Sequence, residues 1–349
     1  MDDEALMRRA IRNASAVRAV TSPRPWVGAV VVTADGEVFD GATEPAPGRH
    51  AEVVALDAAG RAARGSTVFS TLEPCSHVNI TGPCADALVD AGVARVVVGV
   101  EDADHRVRGA GIARLREAGI SVTTGICAEE IERQLAPYLT HRSTGRPFVV
   151  LKLAATLDGR TAAPDGSSQW ITGEAARVDA HRLRAESDAV LVGAGTVRAD
   201  DPSLTVRHGA AAAGGRAPRD PMRVVLGRAP DDAKVHPALE LSGDLGAVLD
   251  ELGGRGVLQV LVEGGATVAH AFHAAGLVDR YVVYLAPALM GGDDGRGLFA
   301  GPGAGTIAEV WRGRVTSVQR LGDDVRIDVE PRSPERRRDP SVPSEPSGE

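Results

Sequence analysis

Leu6, Met7, Ala10, Ile11, Ala14 and Val17 recur at helical spacing between Asp2 and Ala19, so the chain opens with an amphipathic helix. Thr21-Ser-Pro-Arg-Pro stops it, because proline cannot continue helical hydrogen bonding. The period then changes. An apolar run over 27–33, an Asp35-Gly36 turn and a second short strand predict a hairpin. Helices over 51–63, 83–91, 109–118 and 129–140 then alternate with strands over 66–72, 95–100 and 120–123. Such alternation predicts an α/β sheet covered by helices.

Ser143-Thr-Gly-Arg-Pro reads as a turn-rich link and as the domain boundary. Beyond it the alternation resumes with strands over 148–155, 189–193, 257–262 and 280–285. A polar loop over 163–169 precedes a helix over 173–185, and Leu261-Val-Glu-Gly-Gly opens a helix through about Ala275. The Ala/Gly/Arg-rich segment 208–220 reads as a flexible loop, and the Pro-rich polar segment from about Arg332 as a disordered tail. No internal repeat is visible.

Composition removes several function classes. With 349 residues, 43% apolar and 25% charged, the chain suits two domains of an ordinary globular protein. No apolar stretch is long enough to span a bilayer, and MDDEALMRRA lacks the apolar core of a secretory signal. A net charge of −8 and 3% aromatic residues argue against nucleic acid and against anionic membranes. Three cysteines cannot build a disulfide framework, which points to the reducing cytoplasm. A soluble enzyme is expected.

Candidate chemistry concentrates in His50-Ala-Glu52, Thr71-Leu-Glu-Pro-Cys75-Ser-His77 and Pro83-Cys84. Zinc with three protein ligands and one open position activates water, and His50, Cys75 and Cys84 supply such a set. Each of the three falls at a predicted helix N-terminus, where the dipole favours thiolate. Glu52, two residues after the histidine, can reach water at the open position and carry its proton to a leaving amine. Zinc-dependent base deaminases share the order H-x-E…P-C-x-x-C. Here the cysteines are nine positions apart, which leaves room for a loop over the substrate. Taken alone, His-Ala-Glu is an ordinary helix start and a cysteine pair is ordinary core filler. Cys127 has no partner and reads as structural, while His77 is equally a substrate contact or a loop residue.

With these motifs the chain resembles the bifunctional riboflavin-biosynthesis deaminase–reductases over nearly all of residues 4–330. In the second half the resemblance rests on Leu151-Lys-Leu-Ala-Ala-Thr-Leu-Asp-Gly-Arg160, Ser168-Gln-Trp-Ile-Thr172, Gly195-Thr196, Ala199-Asp-Asp-Pro-Ser-Leu-Thr205 and Val262-Glu-Gly-Gly265. It implies an α/β protein with a three-layer cytidine-deaminase-like domain over 1–144. A domain resembling dihydrofolate reductase would follow over 145–332, and then the tail 333–349. The first domain would hydrolyse the 2-amino group of 2,5-diamino-6-ribosylamino-4(3H)-pyrimidinone 5′-phosphate, using zinc. The second would use NADPH to reduce the ribosyl group to a ribityl chain. By the same resemblance Ala154, Trp170, Thr196, Asp200, Gly265, Ala266 and Thr267 contact NADPH. Ser168, Arg184, Leu204, Arg207 and Glu263 contact substrate, and a homodimer or larger homo-oligomer is implied.

The residues agree with this assignment. Glu263-Gly-Gly265 ends a buried strand and opens a helix whose N–H groups can hold phosphate. No G-x-G-x-x-G follows a strand, which disfavours a Rossmann domain. Arg184 and Arg207 offer forked donors to a phosphate, although two arginines are by themselves ordinary surface. Lys152 interrupts an apolar strand and needs a polar or anionic partner there.

Three positions depart from the family's usual residues. Arg24 stands between Pro23 and Pro25 where the family has Asn, Ile80 precedes Thr81 in place of a basic residue, and Asp102-Ala-Asp104 replaces Asp-Pro-Asn. All three fall around the deaminase pocket rather than at the metal ligands. They leave open a paralogue that keeps zinc but has altered or lost its pyrimidine substrate. A nucleic-acid-editing deaminase is opposed by the charge and by a second half it would not need. A purely structural zinc site would leave Glu52 without a task.

Overall fold

The computed structural model describes residues 2–76, 82–104, 107–207 and 219–332. The readings of His77, Ile80, segment 208–218 and tail 333–349 lie outside these residues. The first half runs α1 (Asp3–Thr21), β1 (Gly28–Val32), β2 (Val38–Ala42), α2 (Ala51–Ala59), β3 (Thr67–Leu72), α3 (Cys84–Ala91), β4 (Arg95–Val100), α4 (Ala110–Glu117), β5 (Ser121–Thr124) and α5 (Ala128–Thr144). Asp2 caps α1 by accepting the Ala5 N–H at 2.7 Å. The predicted apolar stripe is buried at Leu6, Met7, Ala10, Ile11 and Ala14. The strands lie in the order β2-β1-β3-β4-β5. β2, β1 and β3 pair antiparallel, whereas β3, β4 and β5 pair parallel. Gln134 of α5 donates to the Ile11 carbonyl of α1 at 2.8 Å, while α2, α3 and α4 adjoin one another. Two helical groups thus cover the sheet, the three-layer arrangement expected.

The second half adds β6 (Phe148–Thr156), β7 (Arg160–Ala162), α6 (Glu174–Ala185), β8 (Ala189–Gly193), α7 (Ala194–Asp200), β9 (Met222–Leu226), β10 (Leu239–Leu241), α8 (Leu245–Gly254), β11 (Gln259–Val262), α9 (Ala266–Ala274), β12 (Arg280–Ala286), β13 (Arg296–Gly297), β14 (Gly313–Leu321) and β15 (Asp324–Pro331). Contacts divide the chain into two compact units, Met1–Phe148 with Val178–Val262, and Val149–Arg177 with Glu263–Glu349. In the first unit, β10, β9, β8 and β11 lie side by side and parallel. In the second, β6 pairs parallel with β12, and β12, β15 and β14 continue antiparallel.

Two features depart from the sequence reading. Helix α5 continues past residue 140 to Thr144 and absorbs the first two of the five residues of the expected link. The Ser143 and Thr144 hydroxyls bond back to the Leu139 and Thr140 carbonyls instead of opening a turn, and Gly145 ends the helix in the left-handed conformation at φ 77°. The first half also shares a core with part of the second. Leu258 packs into the cluster built on α1 and the first sheet. Arg18 donates to Gln259 at 2.6 Å, and Ser22 bonds Asp188. Helices α5 and α8 approach so closely that a Cβ on Gly253 would lie 1.9 Å from the Gly145 carbonyl oxygen.

Candidate active site

His50 occupies the cap position before α2, but its side chain makes no capping bond to the helix and is left for other work. Gly41 of β2 makes this placement possible, since a Cβ there would meet the Ala51 carbonyl oxygen at 2.1 Å. Cys84 is the first residue of α3. Cys75 follows β3 in non-helical backbone, so the expectation of a helix N-terminus at all three residues holds for two. Cys75 reaches the same field by another route. The Cys84 N–H, at the start of α3, donates to Cys75 Sγ at 3.4 Å.

His50 Nδ1 lies 3.0 Å from Cys84 Sγ and 3.5 Å from Cys75 Sγ, and all three ligand atoms fall within 4.8 Å of one another. Tetrahedral zinc with bonds of about 2.0–2.3 Å sets its ligand atoms roughly 3.3–3.8 Å apart, so the cluster fits that ion. Among the described residues no other group of His, Cys, Asp or Glu is so gathered. The Cys84 contact holds the Cys75 thiol down at about 4, helped by His50, and the same contact with burial pushes the Cys84 thiol up. A bound cation would favour thiolate at both.

Glu52, in the first turn of α2, is 3% exposed, and burial raises its carboxyl to about 7. It lines a cavity of about 340 Å³ together with His50 and Cys75. Arg24, Asp102, Asp104, Tyr138 and Arg142 line it as well, so two of the three family departures face this space. Arg24 Nη1 donates to the Gly48 carbonyl at 2.8 Å. Asp102 accepts the Tyr138 hydroxyl and the Asp104 N–H, and burial raises its carboxyl.

Glu73 was not singled out by sequence reasoning. Buried at 3% exposure, it accepts backbone N–H groups from Asp102, Gly109, Gly111 and Ile112 at 2.9–3.2 Å. Gly111 lets α4 meet this turn, because a Cβ would fall 1.8 Å from the Pro74 carbonyl oxygen. Glu73 thereby anchors the backbone that presents Cys75. Its only signal was its place inside Leu72-Glu-Pro-Cys75. Tyr138 and Arg142 had none, being one apolar and one basic position on a long helix.

Residues of the second half fall in both compact units. In the first, Arg184 donates to the Thr205 carbonyl at 3.3 Å and the Arg207 N–H to His181 Nδ1 at 3.2 Å. Leu204 between them is buried in the left-handed conformation at φ 53°, so Arg184, Leu204 and Arg207 share one neighbourhood. Thr196 and Asp200 lie on α7. In the second unit, Ala154 lies on β6, where the Lys152 ammonium sits 5.9 Å from the Tyr284 ring centre. Ser168 and Trp170 lie on the loop before α6. The indole is 70% exposed, with the Arg177 guanidinium 4.8 Å from its ring centre. Glu263 and Gly264 lead to Gly265, the cap of α9, and Ala266 and Thr267 form its first turn. Cys127, read as structural, precedes α5 with Sγ 3.9 Å from the Glu4 carbonyl.

Residues 1–100 match the cytidine and deoxycytidylate deaminase zinc-binding region, and residues 147–327 match the RibD C-terminal domain. The riboflavin biosynthesis protein RibD of Mycobacterium tuberculosis is 43% identical, over 94% of this chain and 96% of its own length. That of Escherichia coli is 39% identical, over 93% and 98%. The solved structure of Acinetobacter baumannii RibD superposes with a TM-score of 0.88 at 38% identity, covering 95% of this chain and 99% of that one. A Thermotoga maritima structure described as a diaminohydroxyphosphoribosylaminopyrimidine deaminase/5-amino-6-(5-phosphoribosylamino)uracil reductase superposes at 0.82 with 32% identity, covering 94% and 98%. Both halves and their order are thus accounted for along a single alignment, and the chain belongs to the RibD family of bifunctional riboflavin-biosynthesis enzymes, joining a zinc-binding deaminase to an NADPH-dependent reductase.

Proposed function

We propose that the first half releases the 2-amino group of 2,5-diamino-6-ribosylamino-4(3H)-pyrimidinone 5′-phosphate as ammonia. The second half then reduces the ribosyl group, giving 5-amino-6-(5-phospho-D-ribitylamino)uracil. The observation that carries this reading is the buried Glu52 carboxyl on the cavity that His50 and Cys75 also line. His50, Cys75 and Cys84 would hold zinc, which supplies a Lewis acid that makes water nucleophilic near neutral pH. Glu52 lies outside the ligand set. Its carboxyl, raised by burial, accepts a proton from the nucleophile and returns it to the departing amine. Glu73 acts as a positioning residue, holding the Pro74-Cys75 backbone against α4.

In the second half NADPH, when bound, would supply the hydride. We assign its contacts to Ala154, Trp170, Thr196, Asp200, Gly265, Ala266 and Thr267, and substrate contacts to Ser168, Arg184, Leu204, Arg207 and Glu263. The α9 N-terminus suits a phosphate, and the shared neighbourhood of Arg184, Leu204 and Arg207 suits a second anionic group. We place the domain boundary at 144/145, supported by the family match that begins at residue 147. A small-molecule substrate, a homodimer or larger assembly and a cytoplasmic setting complete the reading. No helix among the described residues is long and apolar enough to cross a membrane.

Glu52→Gln tests the assignment. The variant should retain about one zinc per chain and release ammonia roughly 10²- to 10⁴-fold more slowly. Near-normal ammonia release from zinc-loaded Glu52→Gln would remove Glu52 from its role.

A further inference from the structure

The deaminase cavity must seat more than a pyrimidine ring. In the reading above, on which this inference rests, its substrate carries a 5′-phosphate one ribose away from the reacting carbon. Four carboxylates line the cavity, at Glu52, Glu73, Asp102 and Asp104, so a phosphate entering it needs a cation to offset repulsion. Among the described residues, Arg24 and Arg142 are the arginines on its wall. They differ in place and in commitment. Arg24 is within electrostatic reach of His50, which puts it on the metal side, and one of its terminal nitrogens is bound to the Gly48 carbonyl. Arg142 belongs to the last turn of α5 and sets its guanidinium 5.2 Å from the ring centre of Tyr138, whose hydroxyl it also reaches. Among the described residues it forms no ion pair, and its buried Nε has no hydrogen-bond partner. The Tyr138 hydroxyl is itself turned to Asp102. A guanidinium beside an aromatic ring, on the cavity wall and in no ion pair, can serve as an oxyanion receptor.

We propose that Arg142 receives the substrate's 5′-phosphate in the deaminase cavity, with the ring amine directed toward Glu52 and the metal ligands. Arg24 is left to the metal side of the same space. The deaminase half then carries its own phosphate recognition, separate from Arg184 and Arg207 of the reductase half.

The test compares ammonia release from the diaminopyrimidine 5′-phosphate and from its dephosphorylated nucleoside. Full-length wild type, Arg142→Met and Arg142→Lys are each measured with zinc content as a check on folding. Wild type should favour the phosphate. Arg142→Met should lose about 10- to 100-fold of that preference, mainly through KM, and Arg142→Lys should recover part of it. Turnover of the nucleoside should change little in either variant. A zinc-loaded Arg142→Met that keeps the wild-type preference overturns the proposal and leaves Arg142 a structural neighbour of Tyr138. If Arg142→Met fails to hold zinc, Arg142→Gln decides by the same ratio. Wild type that releases no ammonia from the phosphate, while oxidising NADPH with the deaminated compound, overturns the deaminase assignment itself.

Discussion

The two halves place their chemistry differently. The candidate deaminase residues come from α2, the turn after β3 and the start of α3, and their reactive atoms converge within one compact unit. The candidate reductase residues divide between two units, with Arg184, Thr196, Asp200, Leu204 and Arg207 in one and Ala154, Ser168, Trp170, Glu263 and Gly265–Thr267 in the other. A metal centre needs rare side chains within one bond length of a point, so few sequences satisfy it by accident. A dinucleotide and a sugar phosphate are held by backbone amides, arginines and small residues, which occur everywhere. The first kind of site is local and chemically distinctive, and the second is spread along the chain.

The sharpest way to break this contrast is Cys84→Ser. It should abolish zinc binding and ammonia release, while NADPH oxidation with the deaminated compound stays within about twofold of wild type. Metal analysis and the two assays check it. Loss of both activities would show that the halves are not chemically independent.

The order of the two reactions comes next in size. Exchanging an exocyclic amine for a carbonyl swaps a donor for an acceptor and leaves a buried partner unpaired, at about 1–3 kcal/mol per group. The reductase should therefore discriminate roughly 10- to 100-fold against the diamino compound. Wild type given that compound and NADPH should release ammonia first and oxidise NADPH after a lag. Glu52→Gln should do neither, yet should oxidise NADPH normally with the deaminated compound. Rapid NADPH oxidation by Glu52→Gln with the diamino compound would remove the proposed order.

Separation of the halves sharpens the comparison physically. A fragment of residues 145–332 should fold and bind NADPH without zinc. It loses the Arg18–Gln259 and Ser22–Asp188 bonds and exposes Leu258, so it should melt below the full chain. Two lost bonds of about 1 kcal/mol each lower Tm by several degrees. Calorimetry of fragment and full chain reads this directly, and equal melting would make the shared core energetically idle.

The smallest expected effect provides a background. Arg9 of α1 holds Asp40 of β2 through two bonds of 2.6–2.7 Å on a part-exposed surface, keeping the Asp40 carboxyl below its usual range. Arg9→Met should cost about 0.5 kcal/mol at pH 7 and change neither activity. Because the folded carboxylate has the lower pKa, the bond stabilises above the unfolded value near 4 and fades as pH falls through the folded one. Denaturation of wild type and Arg9→Met at pH 7 and below pH 3 should show the difference shrinking. A difference that grows in acid would reverse the sign assigned to this pair.

Periodicity and donor chemistry alone determined most of the deaminase half. The stripe from Leu6 to Ala14, the hairpin around Asp35-Gly36 and the alternation to residue 123 follow from local burial patterns, and His50, Glu52, Cys75 and Cys84 follow from what zinc and acid–base chemistry require. Other features were set only by tertiary structure. Ser143 and Thr144 read as a turn because their hydroxyls compete with helical backbone bonding, yet those hydroxyls bond back along α5 as it approaches α8. Cys75 gains the field of a helix it does not begin, since the Cys84 amide points at its sulfur. Glu73 and Arg142 acquire meaning only from what surrounds them, four converging amides for one and a tyrosine face beside an acidic cavity for the other. Short-range patterns record which faces are buried and which donors are present, whereas the partner of each buried polar group lies far along the chain and is fixed only when the layers pack.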